Sequence, residues 1–206
     1  METLVRISNG LDRAIGIVGG IAKWLILPLI AVTIYDVVTR KFVGFQIWAS
    51  SYFGDALNST KLQELEWHFH TALFALCLGF GYIRNAHVRV DVLSEGLRPR
   101  WRAWIEFVGC LIFLVPYCLL VVYFAYDFAL KSYLQHEISA SMIGVPHRWI
   151  IKSVLLVGLV LALLAGISVL LRQFVLLFGP RPVAAAVEPL PPSPSVDPVG
   201  GVRPGE

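Results

Sequence analysis

Charged residues and cysteines are scarce in this sequence. Only 15% of its 206 residues are charged, against about 25% in an average soluble domain. The three cysteines, Cys77, Cys110 and Cys118, form no CxxC pair, so neither a disulfide framework nor a cysteine metal motif is expected. The sequence also lacks a glycine-rich phosphate loop, GxSxG, HExxH and a paired-carboxylate site. We therefore predict that the chain is not an enzyme and holds no cofactor or metal.

Apolar residues, in contrast, make up 57% of the chain, and the mean hydropathy is +0.71. Four apolar runs are long enough to cross a hydrocarbon core, which requires roughly 20 residues of helix. They cover about residues 21–39, 66–83, 104–126 and 149–171. The predicted fold is an all-α membrane protein with four transmembrane helices and additional interfacial amphipathic helices.

The basic residues are distributed unevenly around these runs. Of 17 Lys and Arg, ten lie before the first run, between the second and third, or after the fourth, and six lie on the opposite side, in the other two loops or at the start of the fourth run. The positive-inside rule then places both termini in the cytoplasm of a multi-pass protein of the bacterial inner membrane. The net charge of +3 thus indicates topology and contact with membrane lipid, and we expect no nucleic-acid partner.

Two further segments flank a predicted transmembrane domain of residues 21–178. In residues 1–20, apolar residues recur at helical spacing, which predicts an interfacial amphipathic helix: Leu4, Ile7, Leu11 and Ile15. Gly19 and Gly20 would form a turn into the first span, or Gly16 and Gly20 would form a GxxxG packing face. Residues 179–206 are rich in proline and are predicted to be a disordered cytoplasmic tail.

The loop after the first span is longer than a connection requires. Apolar residues fall on one helical face of this loop, which predicts an amphipathic helix at the outer surface: Phe45, Trp48, Ala49, Tyr52, Phe53, Ala56 and Leu57. This face either rests on lipid or docks a partner. In the second case Trp48, Tyr52 and Phe53 are the candidate docking residues.

Smaller patterns predict local structure inside the spans. Asp36 and Arg40 have the i,i+4 spacing of a helical ion pair. Pro116 predicts a kink in the third span. Gly158, Ala162 and Gly166 form a stripe of small residues that lets another helix approach closely.

The second span begins with four ionisable residues, Glu64, Glu66, His68 and His70. The i,i+4 spacing predicts that Glu64 pairs with His68 and Glu66 with His70. Ionisable residues cost less free energy at a membrane boundary than at its centre, so a structural role at the interface is the simpler interpretation.

The stretch directly after the second span, residues 84–93, is the most informative part of the sequence. A basic loop that sets topology explains Arg84 and Arg89 but not His87 or Asp91. One His and one Asp are too few ligands for a metal site. We therefore interpret Arg84, His87, Arg89 and Asp91 as a hydrogen-bonded structural motif or a subunit interface.

At this stretch the chain resembles the small permease subunit of tripartite ATP-independent periplasmic (TRAP) transporters, the DctQ-like family. The resemblance covers about residues 10–178 and depends on the four-helix layout, the acidic start at Glu64 and Glu66, and the pattern RxxHxxVDxL, formed by Arg84, His87, Val90, Asp91 and Leu93.

The resemblance implies a sodium-driven importer of an organic acid or related solute. In such a system a periplasmic binding protein delivers the solute and a large membrane subunit carries it by an elevator motion. The small subunit forms a heterodimer with the large one and enlarges the stationary scaffold. None of the four predicted spans has a charged residue near its middle, which agrees with a scaffold.

Two other classes remain open from the sequence. A four-helix membrane anchor of a redox enzyme can hold haem b between two histidines, here His68 and His147 near the outer helix ends. A purely structural assembly protein would differ from the transporter subunit only in its partner.

Overall fold

In the computed structural model, the described residues are 1–54, 58–86, 98–141 and 144–180, and they contain helices but no strand. The described residues form seven α-helices: α1 Glu2–Ala22, α2 Ile26–Lys41, α3 Val43–Phe53, α4 Ser59–Ile83, α5 Pro99–Gly109, α6 Val115–Leu134 and α7 Trp149–Phe178. A 3₁₀ turn, Lys23–Leu25, joins α1 to α2, and a π turn, Cys110–Leu114, joins α5 to α6.

Three helical segments of the described chain are long and apolar enough to cross a membrane. They are Glu2–Lys41, Arg100–Leu134 and Trp149–Phe178, with mean hydropathies of 2.1, 2.5 and 3.0. The first, third and fourth predicted spans lie within them. The second lies in α4, which has 25 residues, carries Glu64, Glu66, His68 and His70 in its first half and is not among these three segments. The chain is therefore a helical membrane protein, with three candidate membrane spans among its described residues.

Helices α4 and α7 form the centre of the bundle, and α1, α2, α5 and α6 pack around them. The two central helices approach closely because glycines face backbone. A Cβ on Gly158 would lie 2.5 Å from the backbone oxygen of Ala75, and one on Gly79 would lie 2.7 Å from that of Leu161. Gly166 instead faces the side chain of Leu114 in the π turn, 2.8 Å from where a Cβ would lie. The predicted packing role of Gly158 and Gly166 is confirmed.

The N-terminal segment remains helical at the residues where a turn was expected. Gly19 and Gly20 lie inside α1, which continues through the 3₁₀ turn into α2, so the expected turn at these residues is wrong. Among the described residues nothing lies within 4 Å of a Cβ placed on Gly16 or Gly20. The close approach occurs at Gly19, which contacts the Phe80 side chain.

The face of α1 that packs on the bundle is partly polar. Ser8 and Ile15 are 1% and 0% exposed, whereas Ile7, on the predicted apolar face, is 48% exposed. Ile15 packs with Leu161 and Ala165 of α7 in the hydrophobic core. The assignment of residues 1–20 as a separate interfacial helix stays a prediction.

The proline in the third predicted span coincides with a change of helical hydrogen bonding. Pro116 has no N–H and would clash with the carbonyl four residues earlier in a regular α-helix. The π turn lies directly before it, and the Val115 N–H donates to the Cys110 carbonyl. A π turn is one of the usual causes of a kink in a helix. The kink expected at Pro116 stays a prediction.

Candidate functional site

The loop between α6 and α7, residues 135–148, is held against the start of α4 by Glu64. The Ser139 hydroxyl donates to one Glu64 carboxylate oxygen, and the Val145 N–H donates to the other at 2.5 Å. The Ser141 N–H donates to Ser139 Oγ at 3.1 Å. Gly144 fits beside Ser139 and Glu64 only because it lacks a Cβ. One carboxylate thus fixes both sides of the loop.

The electrostatics of Glu64 match this geometry. Burial alone would raise the pKa of the carboxyl, but the hydrogen bonds from Ser139 and Val145, with Arg148 and His68 nearby, hold the pKa below the ordinary value of 4.5. The His68 ring nitrogen contacts the main-chain carbonyl of Glu64 and not its carboxylate. Glu64 and His68 are therefore in contact, as their i,i+4 spacing predicted, but the Glu64 carboxylate binds the loop and not the imidazole.

A second carboxylate, Glu137, joins the same loop to α7. Lys152 forms an ion pair with Glu137, and Arg148 lies 3.9 Å from it. The hydrogen bond from Lys152 is the main cause that lowers the pKa of Glu137 below 4.5. Lys152 also lies 3.7 Å from the centre of the Phe128 ring of α6, a cation–π contact. The loop is therefore tied to three helices.

At the same end of the bundle Asp36 joins α2 to α4. The predicted Asp36–Arg40 ion pair is present, and Ser59 Oγ donates to the other Asp36 oxygen at 2.7 Å. Asp36 is only 1% exposed, so both of its carboxylate oxygens are paired away from water. Glu66 has one buried carboxylate oxygen without a hydrogen-bond partner in the described part of the chain. No described contact pairs Glu66 with His70.

The inner motif is only partly described. Arg84 follows the last residue of α4, its N–H donates to the Phe80 carbonyl at 3.1 Å, and its guanidinium lies 5.5 Å from the centre of the Phe80 ring. His87, Arg89 and Asp91 lie outside the described residues. The hydrogen-bonded motif predicted there stays a prediction.

The predicted outer helix is present as α3, Val43–Phe53, and Ala56 and Leu57 of its apolar pattern lie outside the described residues. Trp48, Tyr52 and Phe53 are 53%, 72% and 62% exposed, and the Trp48 and Tyr52 rings lie 5.2 Å apart. Ile47 is 65% exposed too, although it lies about 100° around the helix from Trp48. Exposed apolar surface therefore covers more than the single face predicted.

A polar cluster at the other end of the bundle, here called the inner clasp, was missed by sequence reasoning. It consists of Ser8 and Asp12 of α1 with Ser168 and Arg172 of α7. The two serine hydroxyls lie 2.8 Å apart, Ser168 Oγ donates to Asp12 at 2.6 Å, and Arg172 pairs with Asp12 and donates to Ser8 Oγ at 3.0 Å. The signal available in the sequence was the i,i+4 spacing of Ser8 and Asp12, which Ser168 and Arg172 share.

The polar groups described above join helices to one another or to the loop between α6 and α7. Among the described residues no group of three His, Cys, Asp or Glu side chains is placed to hold a metal ion. The two best-formed grooves are open and apolar. One is lined by His70, Leu73, Phe74, Cys77 and Leu78, and the other by Val38, Phe42, Gly44 and Phe45.

Comparison with known proteins identifies the family. The family model of the DctQ component of tripartite ATP-independent periplasmic transporters matches residues 29–176. Neither a search of curated proteins nor a search of solved structures returned a significant match. The matched region includes α4, α7 and the tied outer loop, and it confirms the resemblance drawn from the RxxHxxVDxL pattern. The chain belongs to the DctQ family and is a TRAP transporter small permease subunit.

Proposed function

We propose that this chain is the stationary scaffold subunit beside the large membrane subunit in sodium-driven uptake of an organic acid or related solute. A periplasmic binding protein delivers the solute to the complex. The observation that carries the proposal is the family match over residues 29–176. It favours a transporter subunit over the haem-binding anchor of a redox enzyme.

The character of the helices supports a scaffold rather than a carrier. The stretches 24–35, 107–126 and 153–171 contain no charged residue, whereas coupling-ion and substrate sites of secondary transporters lie near the bilayer midplane and use polar groups or broken helices. The two grooves of the described chain are shallow and mostly apolar. Transport chemistry is therefore assigned to the large subunit.

We further propose that α4 is the fourth transmembrane helix and that both termini are cytoplasmic in the inner membrane. The 25 residues of α4 extend about 37 Å, which exceeds the roughly 30 Å hydrocarbon thickness. Reporter fusions after residue 178 and within 85–100 should report cytoplasm, and fusions within 41–62 and 131–147 should report periplasm. An external C-terminus would overturn this arrangement.

In this orientation Glu64, Asp36 and α3 lie at the periplasmic end, and Arg84 lies at the cytoplasmic end. We propose that Arg84, His87, Arg89 and Asp91 shape the inner loop for assembly. Arg84→Lys keeps the charge but loses the planar guanidinium fork. It should reduce recovery of the large subunit, whereas a role in topology alone would leave recovery unchanged.

Co-purification with the large membrane subunit tests the function itself. The full chain is tagged, co-expressed with an untagged large subunit encoded beside it, and purified from membranes. Reconstituted vesicles with binding protein and an inward sodium gradient should accumulate solute only when both membrane subunits are present. Uptake by the large subunit without this chain would refute the scaffold role.

A further inference from the structure

Helix α4 presents one stripe of exposed side chains along its outer half. Gln63, Trp67, His70 and Phe74 recur at i, i+4, i+7 and i+11 and so share a face. Trp67 is 49% and Phe74 61% exposed. The other sides of α4 pack against α1, α2 and α7. We call this face the α4 stripe.

His70 makes the α4 stripe unsuited to lipid. It lies four residues below Glu66, about 6 Å along the helix axis, and 14 residues above Arg84, about 21 Å. Its imidazole is exposed, and no described residue hydrogen-bonds to it. Ionisable side chains inside a membrane nearly always face protein or a water-filled cavity, because hydrocarbon offers no hydrogen-bond partner.

A groove extends the stripe toward the cytoplasmic end. It is lined by His70, Leu73, Phe74, Cys77 and Leu78, all on one side of α4. The groove is almost wholly apolar apart from the imidazole. It therefore fits an apolar helix that carries one hydrogen-bonding side chain opposite His70.

The exposed surface of the π turn and α6 has the opposite character and serves as a reference. Its middle presents large apolar or aromatic side chains without a charged or histidine residue: Leu111, Ile112, Phe113, Tyr117, Leu119 and Leu120, each at least 47% exposed. Lipid covers such a surface without cost. The two surfaces also differ in the helices that carry them. The reference surface belongs to one of the three described segments that are apolar enough to span a membrane, whereas α4 is not among these segments.

We propose that the α4 stripe is the surface that docks the large membrane subunit, through a transmembrane helix with a hydrogen-bonding side chain opposite His70. This inference rests on the proposed function and adds the interface to it. A protein neighbour satisfies the imidazole and fills the groove at Phe74. It also explains how α4 resides in the membrane with His70 exposed on its surface.

Photocrosslinking in the assembled complex tests the interface. The crosslinking residue p-benzoylphenylalanine replaces Phe74 in one variant and Phe113, which is 72% exposed on the reference surface, in another. We expect crosslinking to the large subunit at position 74 and none at position 113. Crosslinking of position 74 to a second copy of this chain, or equal crosslinking at both positions, would overturn the inference.

The outcome also separates this inference from the proposed function. If the large subunit co-purifies but position 74 crosslinks to no protein, lipid covers the stripe and only the interface is wrong. If no large subunit co-purifies with the unmodified chain, the proposed function fails and the interface fails with it.

Substitution of His70 provides an independent measurement. His70→Leu should lower recovery of the large subunit roughly three- to tenfold, as expected for loss of one interhelical hydrogen bond in a membrane. His70→Gln keeps a donor and an acceptor and should retain most of the recovery. Equal or better recovery with His70→Leu would contradict the inference, because it is the result expected for a lipid-facing position.

Discussion

The contact of α4 with α7 yields the sharpest stability prediction. A Cβ on Gly158 would lie 2.5 Å from the backbone carbon and oxygen of Ala75, whereas ordinary Cβ contacts are 3.4–4 Å. Backbone atoms cannot rotate away as a side chain can. In Gly158→Ala the two central helices must therefore separate by about 1 Å or distort. Such overpacking typically costs about 1–3 kcal/mol.

The same substitution at Gly16 is the matched control. Gly16 lies inside α1, and nothing lies within 4 Å of a Cβ there. Both variants gain the higher helix propensity of alanine, about 1 kcal/mol in water, so this contribution largely cancels in the comparison. The difference between Gly158→Ala and Gly16→Ala therefore measures the overpacking cost.

Unfolding by SDS in mixed micelles, followed by circular dichroism, gives the free energy of unfolding of each variant of the isolated chain. We expect Gly158→Ala to be less stable than Gly16→Ala by about 1–3 kcal/mol. The same variant should also bind less of the large subunit, because α4 carries the proposed interface. Equal free energies of unfolding would show that α4 and α7 are not in contact at this glycine, which would refute the packing described.

Three further predictions follow, two on the polar ties and one on the aromatic residues of α3. Arg172→Gln leaves the partly buried Asp12 without its cation and should destabilise the chain by about 1–3 kcal/mol in the same SDS titration; in the double variant with Asp12→Asn the loss should be smaller than the sum, and additive losses would contradict the pairing. The pKa of Glu64 is lowered in the folded chain, so its stabilisation is present above the unfolded value of 4.5 and is lost as pH falls through the lower folded value. Glu64→Gln should therefore flatten the acid side of the pH–stability profile, and an unchanged profile would refute the tie. Serine at Trp48, Tyr52 and Phe53 together should lower uptake at equal membrane abundance, unless α3 only rests on lipid.

The sequence predicted what depends on local pattern. Apolar runs located the segments in α2, α6 and α7, aromatic spacing located α3, and the i,i+4 spacing of Asp36 and Arg40 located an ion pair. The Ser59 contact on Asp36 was not predictable, because it comes from another helix. For the same reason Glu64 was assigned to a pair with His68, although its carboxylate binds a loop 75 or more residues away.

The inner clasp was not predicted from the sequence, for a related physical reason. Ser8 and Ser168 are 160 residues apart, and the i,i+4 spacing within each helix does not indicate that the two pairs meet. The turn expected at Gly19 rested on glycine propensity alone. Tertiary contact with Phe80 overrode it, because the absent Cβ is what lets α1 pack on α4 while it remains helical.

The two sets of polar ties bear on how a scaffold subunit resists motion. The inner clasp joins α1 to α7, and Glu64 and Glu137 join α4 and α7 to the outer loop at the opposite end. Between them α4 and α7 meet at glycines without room for a methyl group. Sliding of α7 along α4 and α1 would strain the Asp12–Arg172 ion pair at one end and the Glu64 hydrogen bonds to the loop at the other, and it would force backbone into backbone in the middle. A bundle restrained in this way can remain fixed while a neighbouring subunit moves, which is the mechanical property that the proposed function requires.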